Sequence, residues 1–140
     1  MCIVITIQKA IKEDIPFIIN IENRAFFSPW TEVQITASID NAYAAKEANV
    51  IKGFIIIETI LDEVHVLHMA VDPKFQRKGI GKKLMEKAFE FSGKKFFLEV
   101  RESNFPAQKL YKGFGFKVIS RRKNYYKDNN EDALVMGLEK

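Results

Sequence analysis

Residues 64–101 constrain the fold more than any other part of the chain, because they read as strand, helix and strand in immediate succession. Residues 64–71 form an apolar run rich in valine. Residues 79–92 then place Ile80, Leu84, Ala88 and Phe91 on one helical face and Lys82, Lys83, Lys87 and Glu90 away from it. "KKFFLEVR" (94–101) is a second strand. Two strands joined through a helix share a sheet by a crossover connection, which makes them parallel and right-handed. The expected class is α/β, with a mixed sheet.

The flanking segments supply the antiparallel part. Residues 3–8 ("IVITIQ") read as a strand, and Asp14 is placed to cap a helix carrying Ile15, Ile18, Ile19 and Ala25. Pro29 breaks that helix, and Thr31 with Gln34 has the spacing of a capping box for another. Residues 42–47 and 50–60 are two strands joined at Ala48-Asn49, and Asp62-Glu63 turns the chain into residues 64–71. Ser103 or Asn104 can cap a short helix with Pro106 in its first turn and Gly113 at its end. "FGFKVIS" and "ALVMGL" are closing strands separated by the polar stretch 121–132. The predicted order is β-α-α-β-β-β-α-β-α-β-β. No repeat, low-complexity tract or linker interrupts it, so residues 1–140 are expected to form one domain.

Composition excludes several function classes. The 47% hydrophobic content with 12 phenylalanines supports a true core, and the net charge of +4 is spread among interleaved lysines and glutamates. That balance does not call for nucleic acid. The single cysteine, Cys2, excludes an internal disulfide and a cysteine-cluster metal site, and shows no activating neighbour. His65 and His68 lie three apart on a strand, point to opposite faces and cannot share a metal, so they read as ordinary strand residues and no metal is expected. Ser28 has no patterned histidine or aspartate partner. No apolar run approaches the roughly 20 residues of a membrane span. The apolar start "CIVITI" is too short for a secretory leader, so the expected setting is the cytoplasm, away from the membrane.

The chemistry concentrates at the junction of residues 71–84, "VDPKFQRKGIGKKL". A helix beginning at Gly79 presents unpaired N–H groups and the positive end of its dipole to whatever precedes it. Gly79 and Gly81 remove Cβ atoms, so a bulky anion can reach the backbone, and Arg77, Lys78 and Lys82 add positive charge. This describes a phosphate or pyrophosphate cradle. A helix start after a turn is the plainer alternative, and Gly-x-Gly by itself favours it. The spacing is neither that of a nucleotide-triphosphate P-loop nor that of a dinucleotide-binding turn, whose strand would come first in the chain.

"MAVDP", then Gln76-x-x-Gly79-Ile80-Gly81, then a helix resembles the acetyl-CoA-binding motif of the GNAT acetyltransferase superfamily. "LEVRESNFPAQKLYKGFGF" (98–116) resembles that superfamily's second hallmark. "SPW" (28–30), "RRKNYY" (121–126) and "EDALVMGL" (131–138) extend the likeness to the bacterial ribosomal-protein-alanine N-acetyltransferases of the RimI type, over nearly the whole chain. Two departures are an additional lysine within "RRKNYY" and Gly113 where the family has a larger residue. The resemblance implies the GNAT fold: a central mixed seven-stranded sheet flanked by about four helices.

The resemblance also implies roles. Acetyl transfer needs the amine deprotonated, the thioester carbonyl polarised and the departing thiolate protonated. Glu99, mid-strand in "FFLEV", is a solvated charge if its face of the sheet is wet; the resemblance makes it the general base, acting through water. Tyr111 is a core aromatic by its helical setting, and by resemblance the acid that protonates the CoA thiolate. The backbone of Met69, Ala70 and Val71 would hold the carbonyl; Gln76, Arg77, Lys78, Gly79, Ile80, Gly81 and Lys82 would hold the pyrophosphate; Asn104 would cap its helix and bond the cofactor. Trp30, Tyr125 and Tyr126 are packing residues on one reading and the walls of the acceptor groove on the other. The implied reaction is acetyl-CoA-dependent acetylation of a protein or peptide N-terminus, with ribosomal protein S18 as candidate acceptor. A GNAT enzyme for a small amine, such as a polyamine or an antibiotic, and a non-catalytic acyl-CoA sensor are the alternatives.

Overall fold

The computed structural model describes residues 4–140; the expected strand's Ile3 and the lone Cys2 lie outside the described residues. Within them the elements run β1 (Thr6–Lys9), α1 (Ile15–Ala25), α2 (Glu32–Ala37), β2 (Ala42–Glu47), β3 (Val50–Ile60), β4 (Glu63–Val71), α3 (Ile80–Ala88), β5 (Lys95–Arg101), α4 (Phe105–Gly113), β6 (Lys117–Tyr126) and β7 (Glu131–Glu139). The strands form a mixed seven-stranded sheet in the order β1-β2-β3-β4-β5-β7-β6. β4 and β5 are parallel, paired from Glu63↔Lys95 to Val66↔Leu98, as the strand–helix–strand succession demands. The other described ladders are antiparallel.

The chain divides into two compact units: residues up to Ile57 with His68–Glu90, and Glu58–Leu67 with Phe91–Lys140. In the first, α1 contributes Ile18 and Ile21 and α2 contributes Ile35 to a core shared with Ala42, Ala44, Ile51, Phe54, Ile56 and Ala70. Phe54 and Ile56 therefore face α1 and α2. Gly53, just before Phe54 and on the opposite face of β3, faces α3: a Cβ there would stand 3.0 Å from the Ala70 carbonyl oxygen, 3.2 Å from Leu84 Cδ1 and 3.3 Å from Ile80 Cγ2. β3 is thus buried on both faces, and glycine allows α3 to lie close.

Local signals explain most boundaries. Ala48 and Asn49 both take left-handed φ (50° and 67°), the backbone of a tight two-residue hairpin between β2 and β3. α2 carries the expected capping box, with Thr31 Oγ1 accepting from Gln34 N–H and Gln34 Oε1 accepting from Thr31 N–H. Asp14 sits at the N-cap of α1 but does not cap it: its carboxylate accepts from Ile11 N–H at 3.0 Å and pairs with Lys46 at 3.1 Å. α3 stops at Ala88 rather than residue 92, because the N–H groups of Phe89 and Glu90 bond back to Met85 and Lys87, and the bond from Glu90 tightens the last turn.

In the second unit β5 alternates, with Phe96, Leu98 and Val100 buried and Glu99 exposed. Asn104 rather than Ser103 caps α4, accepting from Ala107 N–H at 3.2 Å, while Ser103 N–H donates to Glu131. The left-handed residue after α4 is Gly115 (φ 103°), not Gly113. The largest departure is residues 121–126, expected as part of a polar connection and found as the second half of β6. This stretch pairs with β7 through Arg121↔Leu134, Arg122↔Ala133 and Tyr126↔Glu131. Its charges are met across strands, Arg121 by Glu102 (2.7 Å) and Asp132 (2.9 Å) and Arg122 by Glu99 (2.9 Å). Its polarity marks exposure rather than a break in the strand.

These contacts predict opposite outcomes for two glycine substitutions. Gly53→Ala should lower stability by about 1–3 kcal/mol, since a backbone carbonyl cannot give way. Gly113→Ala, where a Cβ meets nothing within 4 Å, should be neutral or stabilising by up to about 1 kcal/mol. Denaturant titration with unchanged m-values reads both.

Candidate active site

In the first unit the segment after β4 is firmly tied. Asp72, 3% exposed, donates its N–H to the Lys52 carbonyl, accepts Lys74 N–H at 3.1 Å and pairs with Arg24 of α1. Burial would raise its carboxyl, but the Arg24 guanidinium and the Lys74 N–H outweigh that and hold it below the usual range. Gln76 donates to the Val71 carbonyl at 3.4 Å. The chain then passes Arg77 at φ 66° and reaches Gly79 at φ 79°, the N-cap of α3, with no side-chain cap. The first helical bond runs from Lys83 N–H to the Gly79 carbonyl, so the N–H groups of Ile80, Gly81 and Lys82 precede it.

The left-handed φ of Gly79 disfavours other residues, and a Cβ built there would meet nothing within 4 Å, so the space before the helix is open. Arg77, Lys78 and Lys82 are exposed around it. Open space, unbonded N–H groups and surrounding cations suit a diphosphate. Met69, Ala70 and Val71 end β4 just before this segment.

Trp30 lies in the same unit. Its indole stacks on the His68 imidazole with centroids 4.2 Å apart and planes 4° from parallel. The Trp30 backbone N–H donates to Glu22 Oε2 at 2.8 Å, and Glu22 Oε1 meets His68 Nε2 at 2.7 Å. Phe26 stacks on His68 at 4.8 Å. The reading of His68 as an ordinary strand residue is therefore corrected: it joins a buried carboxylate to an aromatic stack. The sequence signal was a glutamate at position 22, on the α1 face that carries Ile18 and Ile21 to the core, which calls for partners.

The second unit holds the remaining candidates. Glu99 lies on the wet face of β5, its Oε1 at 2.9 Å from Arg122 Nε. Tyr125 is raised above the ordinary phenol value by partial burial and by the Glu99 charge and hydrogen bond. Tyr111 is buried and edge-on to Phe116 at 6.1 Å; burial pushes its hydroxyl up to about 12, with Tyr126 adding to the effect. Burial likewise pushes Tyr126 up to about 12, although the Arg101 guanidinium over its ring at 3.9 Å opposes the shift. Both phenols stay protonated across the neutral range. Arg101 also binds Asp128 (2.9 Å) and Glu131 (3.3 Å), an ion-pair network the sequence reading did not identify.

Among the described residues no group of three or more His, Cys, Asp or Glu is arranged to hold a metal ion, and no helix is long and apolar enough to cross a membrane.

The acetyltransferase (GNAT) family profile matches residues 15–116. The chain is 34% identical to the [ribosomal protein bS18]-alanine N-acetyltransferase of Escherichia coli strain K12, over 95% of this chain and 96% of that protein. The crystal structure of the ribosomal-protein-S18-alanine N-acetyltransferase from Escherichia coli has the same fold, with a TM-score of 0.89 and 32% identity over 97% of this chain and 94% of that one. Ard1 from Thermoplasma volcanium follows with a TM-score of 0.87 and 27% identity, over 96% of this chain and 97% of that one. The chain belongs to the GNAT acetyltransferase family and is an acetyl-CoA-dependent N-acetyltransferase.

Proposed function

We propose that this enzyme acetylates the α-amino group of a protein N-terminus, with the N-terminal alanine of ribosomal protein S18 as acceptor. The observation that carries the reading is the near-full-length likeness to an enzyme named for that reaction, at both the sequence and the fold level. Both units serve one transferase domain, and the reaction runs in the cytoplasm without a metal.

In this reading the N–H groups of Ile80, Gly81 and Lys82, with Gln76, Arg77, Lys78 and Gly79, bind the diphosphate of acetyl-CoA. The backbone of Met69–Val71 polarises the thioester carbonyl. Glu99 accepts the proton of the attacking amine through water, and Arg122, at 2.9 Å, orients its carboxylate. Tyr111 donates the proton that neutralises the leaving thiolate, and its burial keeps it loaded for that step. Asn104 caps α4 and contributes a polar contact to the cofactor. Trp30, Tyr125 and Tyr126 hold the acceptor backbone beside its reacting nitrogen.

The choice of amine follows from acidity. An α-amino group has a reference pKa of about 8 and a lysine side chain about 10.4, so at neutral pH the terminus is far more often neutral. A carboxylate acting through water suffices for it.

The acceptor assignment predicts that peptides beginning with Ala are acetylated well, while Nα-blocked peptides with internal lysines are not. Mass spectrometry locates the acetyl group; finding it on lysine, or only on free polyamines, would overturn the assignment. For the cradle, Gly81→Glu should weaken acetyl-CoA binding by repulsion, as read by calorimetry, with the fold intact.

For the acid–base pair, Glu99→Gln and Tyr111→Phe should each lower turnover by about 10²–10⁴-fold with little change in acetyl-CoA affinity. Near-wild-type rates in both would make the residues structural. Tyr111 also carries a linkage signature. Its folded pKa, about 12, exceeds the unfolded value of 10.0, so the stability it contributes is complete below pH 10 and is lost as the pH rises towards 12. Tyr111→Phe should flatten that alkaline loss in part, leaving the share due to Tyr126.

A further inference from the structure

We propose that His68 is a positioning residue for the acceptor: bonded to Glu22 and stacked flat on Trp30, it fixes the acceptor wall against the strand that carries the thioester-binding backbone. The proposal rests on the reading above that Trp30 lines the acceptor groove.

The segment between α1 and α2 is held by few contacts. Phe27, Ser28 and Pro29 are exposed, Phe27 to 95%, so burial of these residues does not fix its course. Its anchor is Trp30, attached twice through one carboxylate. Glu22, fully buried in α1, accepts the Trp30 N–H on Oε2 (2.8 Å) and bonds His68 on Oε1 (2.7 Å). His68 then covers one face of the indole at 4.2 Å and is itself backed by Phe26 at 4.8 Å and Phe54 at 5.8 Å. A buried carboxyl group needs a hydrogen-bond partner, and one would meet that need. Here two go to two elements, the α1–α2 segment and β4, and the β4 partner immediately precedes Met69–Val71. A shift of His68 would therefore tilt the indole while leaving the cradle at Gly79 and its Asp72 ties in place.

Trp30 is the only tryptophan in the chain, so emission excited on the red edge of the absorption band, where tyrosine does not absorb, reports its ring alone. The experiment measures steady-state kinetics of the full chain with an Ala-initiated peptide, alongside the emission spectrum. His68→Ala should raise the peptide KM several-fold, leave the acetyl-CoA KM unchanged, and move Trp30 emission to the red as the ring gains water. His68→Gln, which keeps a donor for Glu22 but loses the flat ring, should give an intermediate peptide KM. If His68→Ala does not fold, the glutamine variant decides on the same criteria. An unchanged peptide KM, or an equal rise in the acetyl-CoA KM, overturns the positioning role. If the wild-type chain itself leaves Ala-initiated peptides untouched, the proposed function falls and takes this inference with it; normal wild-type turnover with indifferent variants removes the inference alone.

Discussion

The double burial of β3 is the constraint on which the first unit depends. Phe54 and Ile56 press against α1 and α2 on one face, and Gly53 admits α3 on the other. A strand so enclosed gives the helices on its two faces a common reference. With α3 set by Ile80 and Leu84 against Gly53, its N-terminus stands in a fixed relation to the end of β4. The connection between them is then tied by Asp72 to β3 and α1. In the proposed reading, phosphate recognition rests on backbone geometry that core packing determines, and few side chains need to be specialised for it.

The second unit follows a different logic. β5 has one dry face and one wet face, and the two proposed proton-transfer residues occupy opposite environments. Glu99 is exposed beside Arg122, while Tyr111 is buried, its hydroxyl pushed up to about 12. Burial keeps the Tyr111 phenol protonated at neutral pH, as a proton donor to a leaving thiolate requires. The sharing of Glu99 between Arg122 and Tyr125 connects the carboxylate to the segment that, in this reading, meets the acceptor.

Where a local pattern had one physical solution, the sequence was legible. The parallel pairing of β4 and β5, the Thr31–Gln34 capping box, the hairpin at Ala48-Asn49 and the Gly79-initiated helix all follow from short-range rules. Long-range partners decided the rest. Asp14 looks like a cap until Lys46, distant in the chain, draws its carboxylate away. His68 looks like a strand residue because Glu22, its partner, lies 46 residues before it. Residues 121–126 look like a loop because edge strands lack the alternation that one-sided burial imposes; their charges find partners only when β5, β6 and β7 assemble. The candidate site residues were named through motif resemblance, whereas the ion pair between Glu99 and Arg122 has no local signature.

The sheet order leaves two open borders, β1 and β6, and both are ill-suited to recruiting another chain. β1 is only four residues long. β6 is longer, but its ladder with β7 is irregular at two places, and Asn124 turns at φ 52° to give its N–H to Asp132. Arginines and lysines crowd the same border. Such a margin offers no continuous row of backbone donors and acceptors, so stray extended polypeptide finds no template there. An enzyme that, in the proposed reading, takes up the ends of other polypeptides can handle them without pairing with them along a border of its own sheet.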